Sequence, residues 1–176
     1  MANGYTSPDY ESTGICVGQP NHYFENAGEG RFEAAFAAAG PDLAVRLASR
    51  AAVACDYDQD GDLDLVVTAN NGRVQLLQNR TEERGDDSSW LLVRLAGRGP
   101  NSRGVGAEVS LRAGELELRR SLLAGASYLG GNPPELFFGL GALEAAGEIV
   151  VRWPSGTESR HPVPGLDRPL LLEEPR

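Results

Sequence analysis

Lysine is missing from this chain of 176 residues: all 16 basic side chains are Arg, set against 25 Asp and Glu, for a formal charge of −9. Without clustered positive charge, an acidic chain of this size is excluded as a general binder of phosphate backbones and as a protein held on anionic lipid. The preference for Arg over Lys carries no functional information. Long apolar runs are missing too, and none approaches the ~20 residues that a membrane-spanning helix needs. No basic and apolar leader follows Met1, because Ala2-Asn3-Gly4-Tyr5 has neither character. Cysteine is scarce. Cys16 and Cys55 are the only thiols and make neither a metal knuckle nor a disulfide framework. Each fits a buried small hydrophobe, and one mutual disulfide is the alternative the sequence leaves open. The two histidines, His22 and His161, have no partner pattern and read as surface or turn residues; no Cys/His set suggests zinc or a thiol nucleophile.

A hydrophobic content of 41% with a mean hydropathy of −0.30 belongs to a folded globular chain rather than a disordered one. Twenty-two Gly and 11 Pro break the apolar segments into short pieces. Residues 90–95 (WLLVRL), 107–111 (AEVSL), 115–120 (ELELRR), 136–139 (LFFG), 148–153 (EIVVRW) and 170–173 (LLLE) read as strands. Several alternate apolar and polar with period two, which buries one face of a sheet, and turn-forming residues bound each. The fold class predicted is all-β. One stretch competes: residues 32–39 (FEAAFAAA) are good helix formers until Gly40-Pro41 stops them.

Residues 81–89 (TEERGDDSS) hold no large apolar side chain and read as a linker or exposed loop, which divides the chain into segments 1–80 and 90–176. Charge follows this division. Residues 1–89 hold 15 acidic and 6 basic side chains, net 6 − 15 = −9; residues 90–176 hold 10 of each, net zero. The first segment also contains a degenerate repeat. Ala69-Asn70-Asn71-Gly72 leads to Leu77-Gln78-Asn79, and Ala2-Asn3-Gly4 leads, through an insertion, to Phe24-Glu25-Asn26. An Asp-rich loop and a strand precede only the second copy. The expectation is a chain that begins halfway through a repeat, as a C-terminal piece of a longer protein.

The chemistry lies in residues 56–64, DYDQDGDLD, a D-x-D-x-D-G-x-x-D spacing. Five Asp side chains in nine residues repel one another unless a cation is present. A hard divalent ion resolves the repulsion, because Ca²⁺ takes 6–8 oxygen ligands and alternate positions of a tight loop can point at one centre. By this logic Asp56, Asp58 and Asp60 supply side-chain oxygens, Asp62 its backbone carbonyl, and Asp64 closes the site, with Gly61 permitting the turn. An EF-hand would need Glu at loop position 12. Val67 stands there, followed by Thr68, and the run 65–68 is made of strand formers. The expectation is a β-loop-β calcium site.

Other candidates carry less. Gly104-Val105-Gly106 begins like a dinucleotide-binding fingerprint, but Val109 stands where the third Gly belongs. Gly125-Ala126-Ser127-Tyr128-Leu129 lacks the closing Gly of a nucleophile elbow. Asn79-Arg80-Thr81 is a formal glycosylation sequon that chance also produces. Trp90, Trp153 and Tyr128 could form a sugar-stacking face, although Trp90 and Trp153 sit on strands and read as core.

The loop at 56–64, the strand after it and the Leu77-Gln78-Asn79 ending resemble an FG-GAP/VCBS repeat, the calcium-binding blade unit of integrin-type β-propellers. The run Phe24-Glu25-Asn26-Ala27-Gly28-Glu29-Gly30-Arg31-Phe32 resembles the end of a preceding repeat. Residues 90–176 are similar to the ASPIC/UnbV domain at Asn101-Ser102-Arg103-Gly104-Val105-Gly106-Ala107, at Gly125-Ala126-Ser127-Tyr128-Leu129, at Phe137-Phe138-Gly139-Leu140-Gly141 and at Val151-Arg152-Trp153-Pro154-Ser155-Gly156. The order of the two is that of cartilage acidic protein-like proteins. This resemblance implies a partial β-propeller-type calcium repeat over 1–80 and a β-sandwich or barrel-like domain over 90–176. It also implies an extracytoplasmic or secreted setting and upstream repeats in a longer chain. One complete Asp loop is present where a closed ring needs about 4–8 blades.

Together these readings predict a non-enzymatic calcium-binding adhesion or interaction module with a structural Ca²⁺ and an unknown protein or glycan partner. No nucleic acid and no membrane span enter. The alternative is a ligand- or carbohydrate-binding domain, or one associated with a natural-product-pathway enzyme. It requires Tyr128, Arg152 or Trp153 to line a pocket.

Overall fold

A computed structural model describes residues 2, 4–6, 16–36, 39–70, 72–81, 85, 88–125 and 127–176, with the backbone alone at 4–6 and 16–17. Strands dominate it, as the short alternating segments predict. Residue contacts divide the chain into two units. The first comprises Met1–Tyr57, Leu63–Asn79 and Ala126–Gly131; the second comprises Asp58–Asp62, Arg80–Gly125 and Asn132–Arg176. Among the described residues no helix is long and apolar enough to cross a membrane.

In the first unit β1 (Gly4–Thr6) pairs antiparallel with β2 (Cys16–Gly18). Next comes the hairpin of β3 (Phe24–Gly28) and β4 (Arg31–Ala34). The helix-forming composition of 32–39 therefore yields to a strand over its first three residues. The reason is the turn at 28–30. Gly28, Glu29 and Gly30 all have positive φ, at 81°, 51° and 72°, and such a turn folds the chain back so that Phe32 lies opposite Asn26. Pro41–Ala44 forms one 3-10 turn. The main sheet follows: β5 (Ser49–Cys55), β6 (Asp64–Ala69) and β7 (Gln75–Leu77), all antiparallel. Ala51 and Val67 are its most buried apolar side chains. Residues from far along the chain join this sheet. Ser127 Oγ accepts the Ala52 N–H at 3.1 Å, and Gly130 sits where a Cβ would come within 3.0 Å of Val53 and 3.1 Å of Ala51. Cys55 is half-buried at the end of β5. The Cys16 side chain, and with it any pairing of the two cysteines, lies outside the described residues.

The second unit is a β-sandwich. One sheet has the order β11 (Glu135–Gly141), β8 (Ser89–Ala96), β14 (Arg168–Glu173). The other has the order β10 (Leu116–Ser121), β9 (Glu108–Ala113), β12 (Glu148–Arg152), β13 (Glu158–Pro162). All pairings are antiparallel except β8 with β14. The core between the sheets includes Leu91 and Val93, Val109 and Leu111, Phe138, Ile149 and Val151, and Trp153. Burying each such side chain contributes about 1.5–3 kcal/mol. Trp153 is 2% exposed, and its Nε1–H donates to Ser159 Oγ at 2.8 Å.

Turn chemistry follows the predicted glycines. Gly104 and Gly106 have φ of 65° and 90°, and Asn101 clamps Val105 by accepting its N–H and donating to its carbonyl. The Gly156 N–H closes a turn on the Trp153 carbonyl at 2.9 Å, with Pro154 second in that turn. One strand has no signal in the sequence: β13 reads Glu-Ser-Arg-His-Pro. It is an edge strand and buries no apolar side chain.

The outward face of the four-stranded sheet explains why this half of the chain is neutral. Across the registers, Arg112 lies between Glu117 and Glu148, and Arg152 between Glu108 and Glu158. Arg160 bonds both Glu148 and Glu158, and Arg152 bonds Glu108. Each exposed pair contributes little singly. Edge strands carrying such charges resist pairing with other chains.

Candidate metal centre

The Asp-rich loop joins β5 to β6, with Cys55 and Asp64 as the last facing pair. Val67, at the position where an EF-hand would place its Glu, is buried in β6. The flanks are therefore strands, and the loop is a β-loop-β unit. Its turn depends on two residues with positive φ, Gln59 at 65° and Gly61 at 98°.

The loop gathers three of the five predicted Asp residues. Asp56, Asp58 and Asp64 each offer a carboxylate oxygen, and the three oxygens lie within 4.8 Å of one another. Their environments differ: Asp56 is half-buried, Asp58 exposed and Asp64 buried. Asp60 stands outside this triad. Its Oδ1 accepts the Asp62 N–H at 2.9 Å, a local turn that sets the backbone on either side of Gly61. Asp62 enters that turn through its N–H.

Asp64 does more than its place in the motif indicated. Its Oδ2 accepts the Tyr57 N–H at 2.8 Å and its Oδ1 accepts the Asn79 N–H at 2.8 Å. One carboxylate thus ties the start of the loop to its end and both to the segment leaving β7. Hydrogen bonds to an ionised acceptor are the stronger kind, and each carboxylate oxygen keeps a second lone pair. Neither backbone donor is marked by its residue type, so sequence reasoning had no route to them. The one hint was the Asn that ends both copies of the repeat, Asn26 and Asn79.

Three carboxylates at this spacing, one of them fully buried, form an all-oxygen donor set. It fits a hard divalent cation and offers nothing to a metal that prefers nitrogen or sulfur. The groups that the ligand-binding alternative needs stand in three different settings. Trp153 is in the core, and Arg152 bonds Glu108 at 3.3 Å. Tyr128 is exposed. Ser127 accepts a backbone N–H through its Oγ, a fixed structural contact for the residue in the nucleophile-elbow position. His22 lies edge-on to Phe24 and Phe36, and His161 shares a hydrogen bond with Ser159.

Residues 48–77 match the family model described as FG-GAP repeat, and residues 97–176 match the one described as ASPIC and UnbV. The chain is 32% identical over 122 residues to cartilage acidic protein 1 of Mus musculus, a match covering 69% of this chain and 19% of that protein. It is 32% identical over 105 residues to cartilage acidic protein 1 of Homo sapiens, covering 59% of this chain and 16% of that protein. The chain spans less than a fifth of the length of these curated relatives.

Proposed function

For a chain that carries an FG-GAP repeat followed by an ASPIC and UnbV domain, we propose the role of an extracytoplasmic interaction module in which the loop of residues 56–64 binds a structural Ca²⁺. The observation that carries the calcium reading is the convergence of Asp56, Asp58 and Asp64 within 4.8 Å. Asp60 and the Asp62 carbonyl complete the donor set toward the 6–8 oxygens that Ca²⁺ takes. The ion supplies charge neutralisation and a cross-link between the two strands that flank the loop. The protein's part is to hold the donors: Asp64 pins the loop ends, and the Asp60–Asp62 turn shapes the tip. The partner is a protein or a glycan, engaged by the longer protein to which repeats of this kind belong.

Calorimetric titration with Ca²⁺, alongside melting curves in Ca²⁺ and in chelator, tests the metal reading. Ca²⁺ at about 100 times its Kd stabilises the bound form by about 2.7 kcal/mol. For a chain of this size that corresponds to a melting-temperature rise of roughly 5–10 °C. No heat of binding and superimposable melting curves at millimolar Ca²⁺ would refute it.

A further inference from the structure

The tip of the metal loop, Asp58–Asp62, belongs to the same compact unit as Trp90, and the contact between them is close. A Cβ built on Gly61 would fall 2.0 Å from Trp90 Nε1, 2.4 Å from Cε2 and 2.6 Å from Cδ1. The indole therefore lies flush on the Gly61 backbone, and Gly61 is buried. Glycine is required twice at this position: its φ is 98°, and its missing side chain is the space the indole fills.

The ring is a rigid plate. It stacks on Phe137 with centroids 6.0 Å apart and planes at 12°. Its backbone is clasped on both sides by one residue, because Asp167 Oδ1 accepts the Trp90 N–H at 2.9 Å and the Asp167 N–H donates to the Trp90 carbonyl at 2.8 Å. Asp167 adopts a positive φ of 57° to do so. A surface fixed by a strand, a ring stack and a two-way backbone clasp sits against the residue between Asp60 and Asp62. Those two are already joined by the Asp62 N–H to Asp60 Oδ1 bond. Groups that hold a ligand-bearing backbone in place raise metal affinity without touching the metal.

We propose that Trp90 is a positioning residue for the metal loop: its indole holds Gly61, and so the Asp58–Asp62 tip, in the arrangement that binds the cation, and the indole in turn senses whether the cation is bound. This rests on the calcium reading above. Its content is a coupling between a loop in the FG-GAP repeat and an aromatic residue 29 positions after Gly61 on β8.

The test titrates CaCl₂ calorimetrically into the full chain, into Trp90→Phe, which keeps a ring on Phe137 but removes the indole edge, and into Trp90→Ala. Tryptophan emission is followed in parallel; the chain has two Trp, so Trp153 is the only emitter in both variants. The expected result is Ca²⁺ affinity reduced about ten-fold or more in Trp90→Ala and less in Trp90→Phe. A Ca²⁺-dependent emission change is expected in the wild type and is lost in Trp90→Phe. A purely structural Trp90 would lower the melting temperature equally with Ca²⁺ and with chelator, whereas a positioning Trp90 shrinks the rise that Ca²⁺ produces. Should Trp90→Ala fail to fold, Trp90→Phe decides. Affinity within about two-fold of wild type in the folded variants, with an unchanged Ca²⁺-induced rise, overturns the positioning role and leaves the calcium reading standing. A wild type that binds no Ca²⁺ overturns both.

Discussion

Asp64 and Asn79 are joined by a 2.8 Å hydrogen bond from the Asn79 backbone N–H to the Asp64 carboxylate, with Asp64 fully buried. Because the other oxygen accepts the Tyr57 N–H, this carboxylate ties the loop together through hydrogen bonds of its own. Asp58, by contrast, is exposed.

The two residues should therefore separate under chelator. Asp64→Ala strands two backbone donors and is expected to cost about 2–4 kcal/mol with chelator present. Asp58→Ala, at an exposed carboxylate, should cost less in chelator than Asp64→Ala and should weaken the Ca²⁺ response. Urea denaturation of both variants, with and without Ca²⁺, makes the comparison; equal stability of Asp64→Ala and wild type in chelator would remove the dual role.

Two glycines of similar backbone conformation differ in what surrounds them. A Cβ on Gly104 would meet Leu95 Cβ at 3.1 Å and Trp153 Cζ3 at 3.2 Å, whereas one on Gly99 would meet nothing within 4 Å. Both have positive φ, 65° and 64°. Gly99→Ala is expected to cost only the left-handed term, about 1–2 kcal/mol. Gly104→Ala adds core crowding of about 1–3 kcal/mol more. Denaturant midpoints give the difference, and identical costs at the two sites would contradict it.

Ser159 is the acceptor for the buried Trp153 Nε1–H. Removing that hydroxyl takes away the partner of the Trp153 Nε1–H. Ser159→Ala is expected to cost about 1–3 kcal/mol, while Ser159→Thr retains the hydroxyl and most of the stability. Thermal melts of the pair decide the matter, and an unaffected Ser159→Ala would count against it.

Acid should find Glu174. The Ser155 hydroxyl first, and then the Arg98 N–H, hold its carboxyl below the ordinary value of 4.5, the latter through a 2.7 Å bond. A carboxyl held low in the folded state stabilises the fold above its unfolded value, and that contribution is lost as the pH falls below about 4.5. Glu174→Gln should thus lose stability relative to wild type at neutral pH, with the gap closing in acid. Denaturant midpoints at roughly pH 7 and about pH 3 measure this. A gap that stays constant with pH would exclude the linkage.

Much of the sandwich was legible because its strands bury one face and alternate. Glu108–Ala113 and Glu148–Arg152 each place apolar residues at every second position of the core, and period two is visible in one dimension. Glu158–Pro162 was not legible. Its inward residues are Ser159 and His161, which earn their place by hydrogen bonding to Trp153 and to each other. Residues 32–39 misled in the other direction, since helix propensity is a weak prior against a hairpin turn with three positive φ values.

The D-x-D-x-D-G-x-x-D spacing and the strand formers after it are local, and sequence by itself determined that residues 56–64 form an acidic loop between strands and that the chain's negative charge lies before residue 90. What it could not determine is how five equivalent Asp residues divide their work. Tertiary structure alone decided that Asp64 is buried on two backbone donors and that Gly61 meets an indole. The reason is physical. A motif specifies the order of ligands along a chain, whereas burial, backbone hydrogen bonds and the fit of Trp90 against Gly61 arise only when distant segments are packed together.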